Sequence, residues 1–105
     1  MLVLPIKKKW FDMIKSGEKK EEYREIKPYY FSRFKKLPLY DFREDKMTFE
    51  VIFRNRYSKS SPELKCKCKI RIGQGKEEWG AEPNKEYYIL EILEVLQWQL
   101  NRKKQ

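Results

Sequence analysis

A chain of 105 residues with 25 Lys and Arg against 16 Asp and Glu, a formal net charge of +9, suffices for one domain and is too short for two separately stable cores. Its hydrophobic share of 40%, with 15% aromatic residues, excludes a disordered polyelectrolyte, and its charge favours phosphate-rich partners or anionic surfaces. No run approaches the roughly 18 apolar residues of a spanning helix, the N-terminal Met-Leu-Val-Leu-Pro-Ile is too short for a signal segment, and no membrane association is expected.

Leu2 to Lys7 is apolar and β-branched with Pro5 inside, which suits an edge strand. From Lys8 to Ser16 the period changes: Trp10, Met13 and Ile14 fall at i, i+3 and i+4 with Phe11 beside them, while Lys8, Lys9, Asp12 and Lys15 lie opposite, as in an amphipathic helix. Gly17 ends that helix, since glycine takes the left-handed C′ conformation freely. Lys19 to Ile26 follows as a charged strand, with Lys19 in the turn that leads into it. Pro28 to Lys36 is a second helix whose apolar side is Tyr30, Phe31 and Phe34.

Residues 37–46 are a connecting loop. Thr48 to Arg54 has strand composition, and Asn55 to Pro62 is an exposed, basic, aromatic loop. Lys65 to Ile72 alternates without a break, with Lys65, Lys67, Lys69 and Arg71 on one face and Cys66, Cys68, Ile70 and Ile72 on the other. Gly73-Gln74-Gly75 turns out of it, residues 77–84 form a second long loop, and Tyr87 to Leu93 is the last strand before a frayed basic tail over 100–105. Cys66 and Cys68 have no histidine to help them bind zinc. They are expected to be reduced, partly buried thiols in a cytoplasmic protein, and no metal or cofactor is expected. The order strand, helix, strand, helix, then three strands defines an α+β domain over residues 1–105. The expected fold is a small mixed β-barrel of five to six strands with two helices near the N-terminus.

The densest constellation is Gly17-x-Lys19-x-x-Glu22-x-Arg24. Glu22 and Arg24 project together from a strand, and Lys19 in the turn can approach both. Read as a solvated strip, such ion pairs contribute about 0 to 1 kcal/mol each. The Lys65 to Arg71 face reads in the same way, as a solvated outer face whose lysines protect a strand against aggregation.

The Gly-x-Lys-x-x-Glu-x-Arg segment, the preceding Ile6 to Trp10, the stretch from Phe53-Arg54-Asn55 to Ser58, and Glu78-Trp79-Gly80-Ala81-Glu82-Pro83 together resemble the ASCH domain family, in its bacterial and phage branch. The family is related to the RNA-binding PUA domains. The resemblance implies a PUA-like barrel with a ligand cleft at the motif, and RNA or a nucleotide-like ligand as partner. Lys7, Lys8, Lys20 and Arg24, with Lys9 and Lys15 nearby, would follow phosphates. Arg54 and Asn55 would flank the cleft, and Tyr23, Tyr57 or Trp79 would stack an unpaired base, with Trp10 assigned to the core.

One enzymatic branch of the family removes acetyl groups from acetylcytidine with the motif lysine, a threonine and a distant glutamate. Lys19 and Glu82 are the matching candidates, and Glu22 stands where the threonine would be. A ribonuclease would instead use Lys19 and Glu22 as acid and base, with Arg24 or Lys7 stabilising developing charge. A protein-interaction module is the non-enzymatic alternative to RNA binding.

Overall fold

The chain runs β1 (Leu2–Ile6), α1 (Lys8–Ser16), β2 (Glu21–Glu25), α2 (Pro28–Phe34), β3 (Phe49–Asn55), β4 (Pro62–Gln74) and β5 (Glu86–Leu100), with a 3₁₀ turn at Glu77–Trp79. This computed structural model describes residues 2–37, 48–55 and 61–100, with the side chains of the last three left aside. Residues 38–47, which take in all but the first residue of the expected connecting loop over 37–46, residues 56–60 with Tyr57, and 101–105 of the expected tail lie outside the described residues.

All five strands belong to one sheet in the order β1-β3-β4-β5-β2. β1 runs parallel to β3, and every other pairing is antiparallel. The sheet curls into a half-barrel whose edges are β1 and β2. The expected barrel is therefore met in strand number, while among the described residues no ladder joins the two edges to close it.

The curl has a visible cause in the longest pairing. Lys65 opposes Gln97 while Cys66 opposes Val95, and Lys67 opposes Glu94 while Cys68 opposes Ile92, so Leu96 and Leu93 each bulge out of β5. An extra residue on one strand bends the ribbon and increases its twist. Leu93 and Leu96 are accordingly exposed, although their composition suits a core.

The inner face holds Leu4 and Ile6 of β1, Val51 and Phe53 of β3, Leu64, Cys66 and Cys68 of β4, and Tyr88, Leu90 and Ile92 of β5, closed over by Phe11 and Ile14 of α1 and by Phe34 of α2. α1 has the expected bounds, and Gly17 caps it at φ 88° with its N–H donating to the Ile14 carbonyl at 3.1 Å. α2 ends two residues before the expected Lys36, and Phe31 points outward at 53% exposure, because the Tyr30 and Phe34 rings, one turn apart and 5.8 Å between centroids, form its inner face.

Burial fades along β4 from Cys68 through Ile70 at the core margin to Ile72, which is 57% exposed and not the core residue that alternation implied. The cations of this strand are matched by carboxylates. Lys65 pairs with Glu50 at 3.3 Å and Arg71 with Glu21 at 2.8 Å, while Lys67 and Lys69 sit opposite Glu94 and Glu91. This balance makes the face a solvated strand exterior. No helix among the described residues is long and apolar enough to cross a membrane.

Cys66 and Cys68 are free thiols with 0% exposure. Burial pushes Cys66 up to about 12 and Cys68 higher still. A group whose folded pKa is raised holds its stabilising contribution below the unfolded pKa and loses it as pH climbs toward the folded one. Stability is expected to fall above pH about 9 by roughly 1.4 kcal/mol per pH unit for each thiol. Thermal melts of wild type and Cys66→Ala between pH 8 and about 11 check this, and a variant with the same alkaline slope as wild type would disprove it.

Candidate functional site

β1 and β2 enter the domain on either side of α1 and end up as the two free edges of the sheet, facing one another across a seam. The motif lies on β2 and in the turn before it. Gly17 reverses the chain, the Lys19 N–H donates to the Met13 carbonyl at 2.9 Å, and the chain then enters the ladder at Glu21. Lys19 is thereby held in the turn, where the sequence placed it. Alternation along β2 sends Glu22 and Arg24 inward together.

All three charged side chains are buried, with residual exposures of 1% for Lys19, 6% for Glu22 and 8% for Arg24. Arg24 donates from Nε and Nη2 to Glu22 Oε2 at 3.2 and 2.8 Å, and Glu22 Oε1 lies 3.3 Å from Lys19 Nζ. The second Nη2 hydrogen goes to the Pro5 carbonyl at 2.7 Å, and Nη1 donates to the Tyr30 hydroxyl at 3.3 Å. One guanidinium thus ties β2 to both β1 and α2 across the seam. Lys19 Nζ donates to the Trp79 carbonyl at 2.6 Å and stands 4.7 Å and 4.9 Å from the Trp10 and Tyr23 ring centres. Among the described residues no buried side-chain nitrogen or oxygen lacks a partner.

Burial lowers the Lys19 pKa below the usual lysine value against the pull of Glu22. Burial also works against the Arg24 charge, but Glu22 and Tyr30 outweigh it and hold its pKa above the usual arginine value. Tyr23 is raised, chiefly by burial and then by its bond to Glu21.

Above the cluster lies a cleft of about 680 Å³, within the range of roughly 300 to 1,000 Å³ typical of small-molecule sites. One wall comes from β1, the start of α1 and the end of β3: Pro5, Ile6, Lys7, Trp10 and Asn55. The other comes from β2 and β5: Glu22, Tyr23, Arg24, Glu25 and Tyr87. Lys27 and Tyr30, at the start of α2, complete the lining. Among the described residues no group of three or more His, Cys, Asp or Glu side chains is placed to hold a metal ion. The cleft offers two carboxylates, a guanidinium, a carboxamide, two lysines and four aromatic rings.

Of the candidates named from the sequence, Lys7, Glu22, Tyr23, Arg24 and Asn55 line this cleft, and Lys19 lies directly behind Glu22. Lys8 is exposed and paired with Asp12 at 2.6 Å, and Lys20 is exposed outside the lining. Arg54 is held at 2.7 Å by Glu63, and Glu82, whose side chain is 73% exposed, faces Lys85 at 4.0 Å; neither lines the cleft. Trp79 is corrected as a stacking residue. Only 8% of it is exposed, and its contribution to the site is its carbonyl. Trp10, expected in the core, packs against its margin and also lines the cleft, as do Tyr30 and Tyr87, which no local pattern singles out. They share no sequence signal: Trp10 follows Lys9, but Tyr30 and Tyr87 have no basic neighbour, and only their tertiary placement unites them.

The 3₁₀ turn is pinned onto the motif from several sides. Tyr23 donates its hydroxyl to Glu21 at 2.6 Å and accepts from the Lys76 N–H at 2.9 Å, and the Glu82 N–H donates to the Tyr87 hydroxyl at 3.0 Å. Gly75 is wedged so tightly that a Cβ there would lie 2.5 Å from the Tyr23 ring and 2.8 Å from the Ala81 methyl. Gly75→Ala is expected to cost about 1 to 3 kcal/mol by overpacking and to displace Tyr23 from the cleft wall. Urea denaturation measures the first effect, and wild-type stability would show that the turn yields freely. No family model, curated protein or solved structure compared with this chain gives a significant match.

Proposed function

We propose that the chain is an ASCH-type, PUA-like domain that binds RNA by admitting an unpaired base into the seam cleft. The supporting observation is the buried, bonded Lys19–Glu22–Arg24 cluster, whose Glu22 and Arg24 line a cleft walled by Trp10, Tyr23, Tyr30 and Tyr87. A carboxylate offers about four acceptor positions. Arg24 bonds Oε2 and Lys19 lies 3.3 Å from Oε1, whose second lone pair is the acceptor for a base edge. Aromatic faces give sequence-tolerant stacking on single strands, and Lys7 and Lys27 at the cleft, with Lys20 outside it, supply charge for phosphates. The free thiols of Cys66 and Cys68 fit a reducing, cytoplasmic setting.

Binding has better geometric support than catalysis. Both enzymatic alternatives employ Lys19, whose ammonium is 1% exposed and already engaged by a carbonyl, a carboxylate and two rings. The acetylcytidine alternative also needs a distant glutamate, and Glu82 faces solvent.

The test is fluorescence anisotropy with a labelled single-stranded RNA and its duplex across a salt series. Affinity for the single strand is expected to exceed that for the duplex, and its logarithm to fall against log salt with a slope of about 0.7 per phosphate contacted. A flat salt dependence or equal affinity for the duplex would count against binding through an unpaired base. The RNA recovered from the titration is expected intact; cleavage that disappears in Lys19→Ala would restore the ribonuclease alternative.

A further inference from the structure

We propose that the outer side of α2 carries a second nucleotide position: Arg33, lying on Tyr29, forms a platform for the base next to the one admitted by the cleft, so that a single strand crosses from the seam onto this helix. This rests on the cleft being a site for an unpaired base, as proposed above.

The platform begins inside the cleft. Tyr30 lines it, fixed by the Arg24 bond to its hydroxyl at 3.3 Å and by its stacking on Phe34 at 5.8 Å between centroids. The Tyr29 ring meets the Tyr30 ring edge to face, with centroids 4.9 Å apart. One turn further along the helix, the Arg33 guanidinium lies over the Tyr29 ring, 3.9 Å from its centre. Three planar groups thus run in contact from the cleft wall to the surface, where Tyr29 is 50% exposed and Arg33 is exposed. Single exposed rings are ordinary on a protein surface. Tyr29 is distinguished by its continuity with the cleft and by the cation held on its face. Bases of unpaired RNA stack on guanidinium planes as they do on aromatic rings, and a stacked guanidinium keeps its N–H edge for a phosphate oxygen.

Charge points the same way. From Lys27 to Lys36 the chain has four cations and no carboxylate. Lys27 lines the cleft and lies 5.7 Å from the Tyr30 ring centre, at the step between the two base positions. Its neighbour Glu25 is shared between Lys27 at 3.5 Å and Lys85 at 2.9 Å, so one carboxylate leaves a net positive charge at this rim. Glu50 is the one carboxylate lining the hollow that Arg33 shares with Lys35 and Lys36, and Lys65 holds it at 3.3 Å. Positive charge alone would suit any acidic partner. A stacking plane beside a cleft of base size selects a nucleic acid strand.

The experiment measures binding of a fluorescein-labelled single-stranded RNA hexamer by anisotropy over a salt series. The proteins are wild type, Tyr29→Ala, Arg33→Gln and Lys67→Gln, the last making the same charge change at an exposed position on β4. Tyr29→Ala and Arg33→Gln are each expected to weaken binding about tenfold, the share of one stacked base. Lys67→Gln is expected to weaken it less than about twofold, as an exposed charge remote from the strand. Arg33→Gln is expected to reduce the slope of log affinity against log salt by about 0.7, one phosphate contact, and Tyr29→Ala to leave it unchanged. The Trp10 indole N–H signal in ¹⁵N–¹H spectra reports the cleft, and at saturating RNA it is expected to shift alike in wild type and both α2 variants. Arg33 is exposed, so its variant keeps the test valid if Tyr29→Ala disturbs Tyr30. Losses no greater than that of Lys67→Gln, or an unchanged slope for Arg33→Gln, overturn the platform, and a Trp10 signal that still shifts leaves the cleft reading standing. RNA binding that depends on Tyr29 and Arg33 while the Trp10 signal stays still overturns the cleft reading and leaves α2 as the RNA surface. No binding of RNA at low salt overturns both. A wild type that sediments as a dimer, dispersed by Tyr29→Ala, overturns the platform and assigns this face to a second copy of the chain.

Discussion

Arg24→Met is expected to be the most damaging single change in the domain, costing about 3 to 5 kcal/mol, the usual loss when one partner of a buried ion pair is removed. Four bonds go with the guanidinium: two to Glu22 Oε2, one to the Pro5 carbonyl and one to the Tyr30 hydroxyl. Glu22 would keep only the 3.3 Å contact with Lys19 while remaining 6% exposed, and the bond that links β2 to β1 would be gone. Arg24→Lys separates charge from shape. A lysine restores the positive charge but cannot place donors on Glu22, Pro5 and Tyr30 at once, because it lacks the planar fork. Chemical denaturation of wild type and both variants is expected to rank Arg24→Lys close to Arg24→Met. A lysine variant as stable as wild type would mean that charge alone matters and that the bond across the seam carries little.

Lys19→Met carries the second largest expected effect. It leaves the Trp79 carbonyl without its 2.6 Å donor, and an unpaired buried acceptor costs about 1 to 3 kcal/mol. It also removes a cation packed between the Trp10 and Tyr23 rings. The loss is expected to depend on pH in a way that identifies the ammonium. Burial lowers the Lys19 pKa below the ordinary lysine value of 10.5, so between the two values the unfolded chain binds more protons than the folded one. Wild type therefore gains stability from this group as pH rises through that window, and Lys19→Met has no such gain. Melting temperatures of the two proteins over the alkaline range report it. Their difference is informative because the opposing losses from Cys66, Cys68 and Tyr23 are common to both. Parallel curves would show that the Lys19 side chain does not titrate differently in the fold.

Local chemistry made much of the architecture legible. α1 was readable because the spacing of Trp10, Phe11, Met13 and Ile14 and the stop at Gly17 are properties of one short segment. The same holds for the pairing of Glu22 with Arg24, since alternation along any strand sends residues two apart to one face. The misreadings also share a cause. Phe31 and Ile72 fit the periodicity of their elements but are more than half exposed, and Leu93 and Leu96 are turned out by bulges that only the pairing with β4 defines. Trp79 sits in a polar stretch and is nevertheless buried, because its turn folds back onto the motif.

Composition and pattern by themselves determined a single α+β chain of two helices and five strands, its thiol chemistry, and a charged motif at the entry to β2. Only the tertiary structure decided that this motif would be buried: Lys19 finds the Trp79 carbonyl sixty positions away, and Arg24 finds the Pro5 carbonyl on the far edge of the sheet. It also decided that Trp10, Asn55 and Tyr87 would stand around Glu22. These residues are remote in the chain, and the strand order that brings them together depends on long-range pairing energies that no local segment encodes.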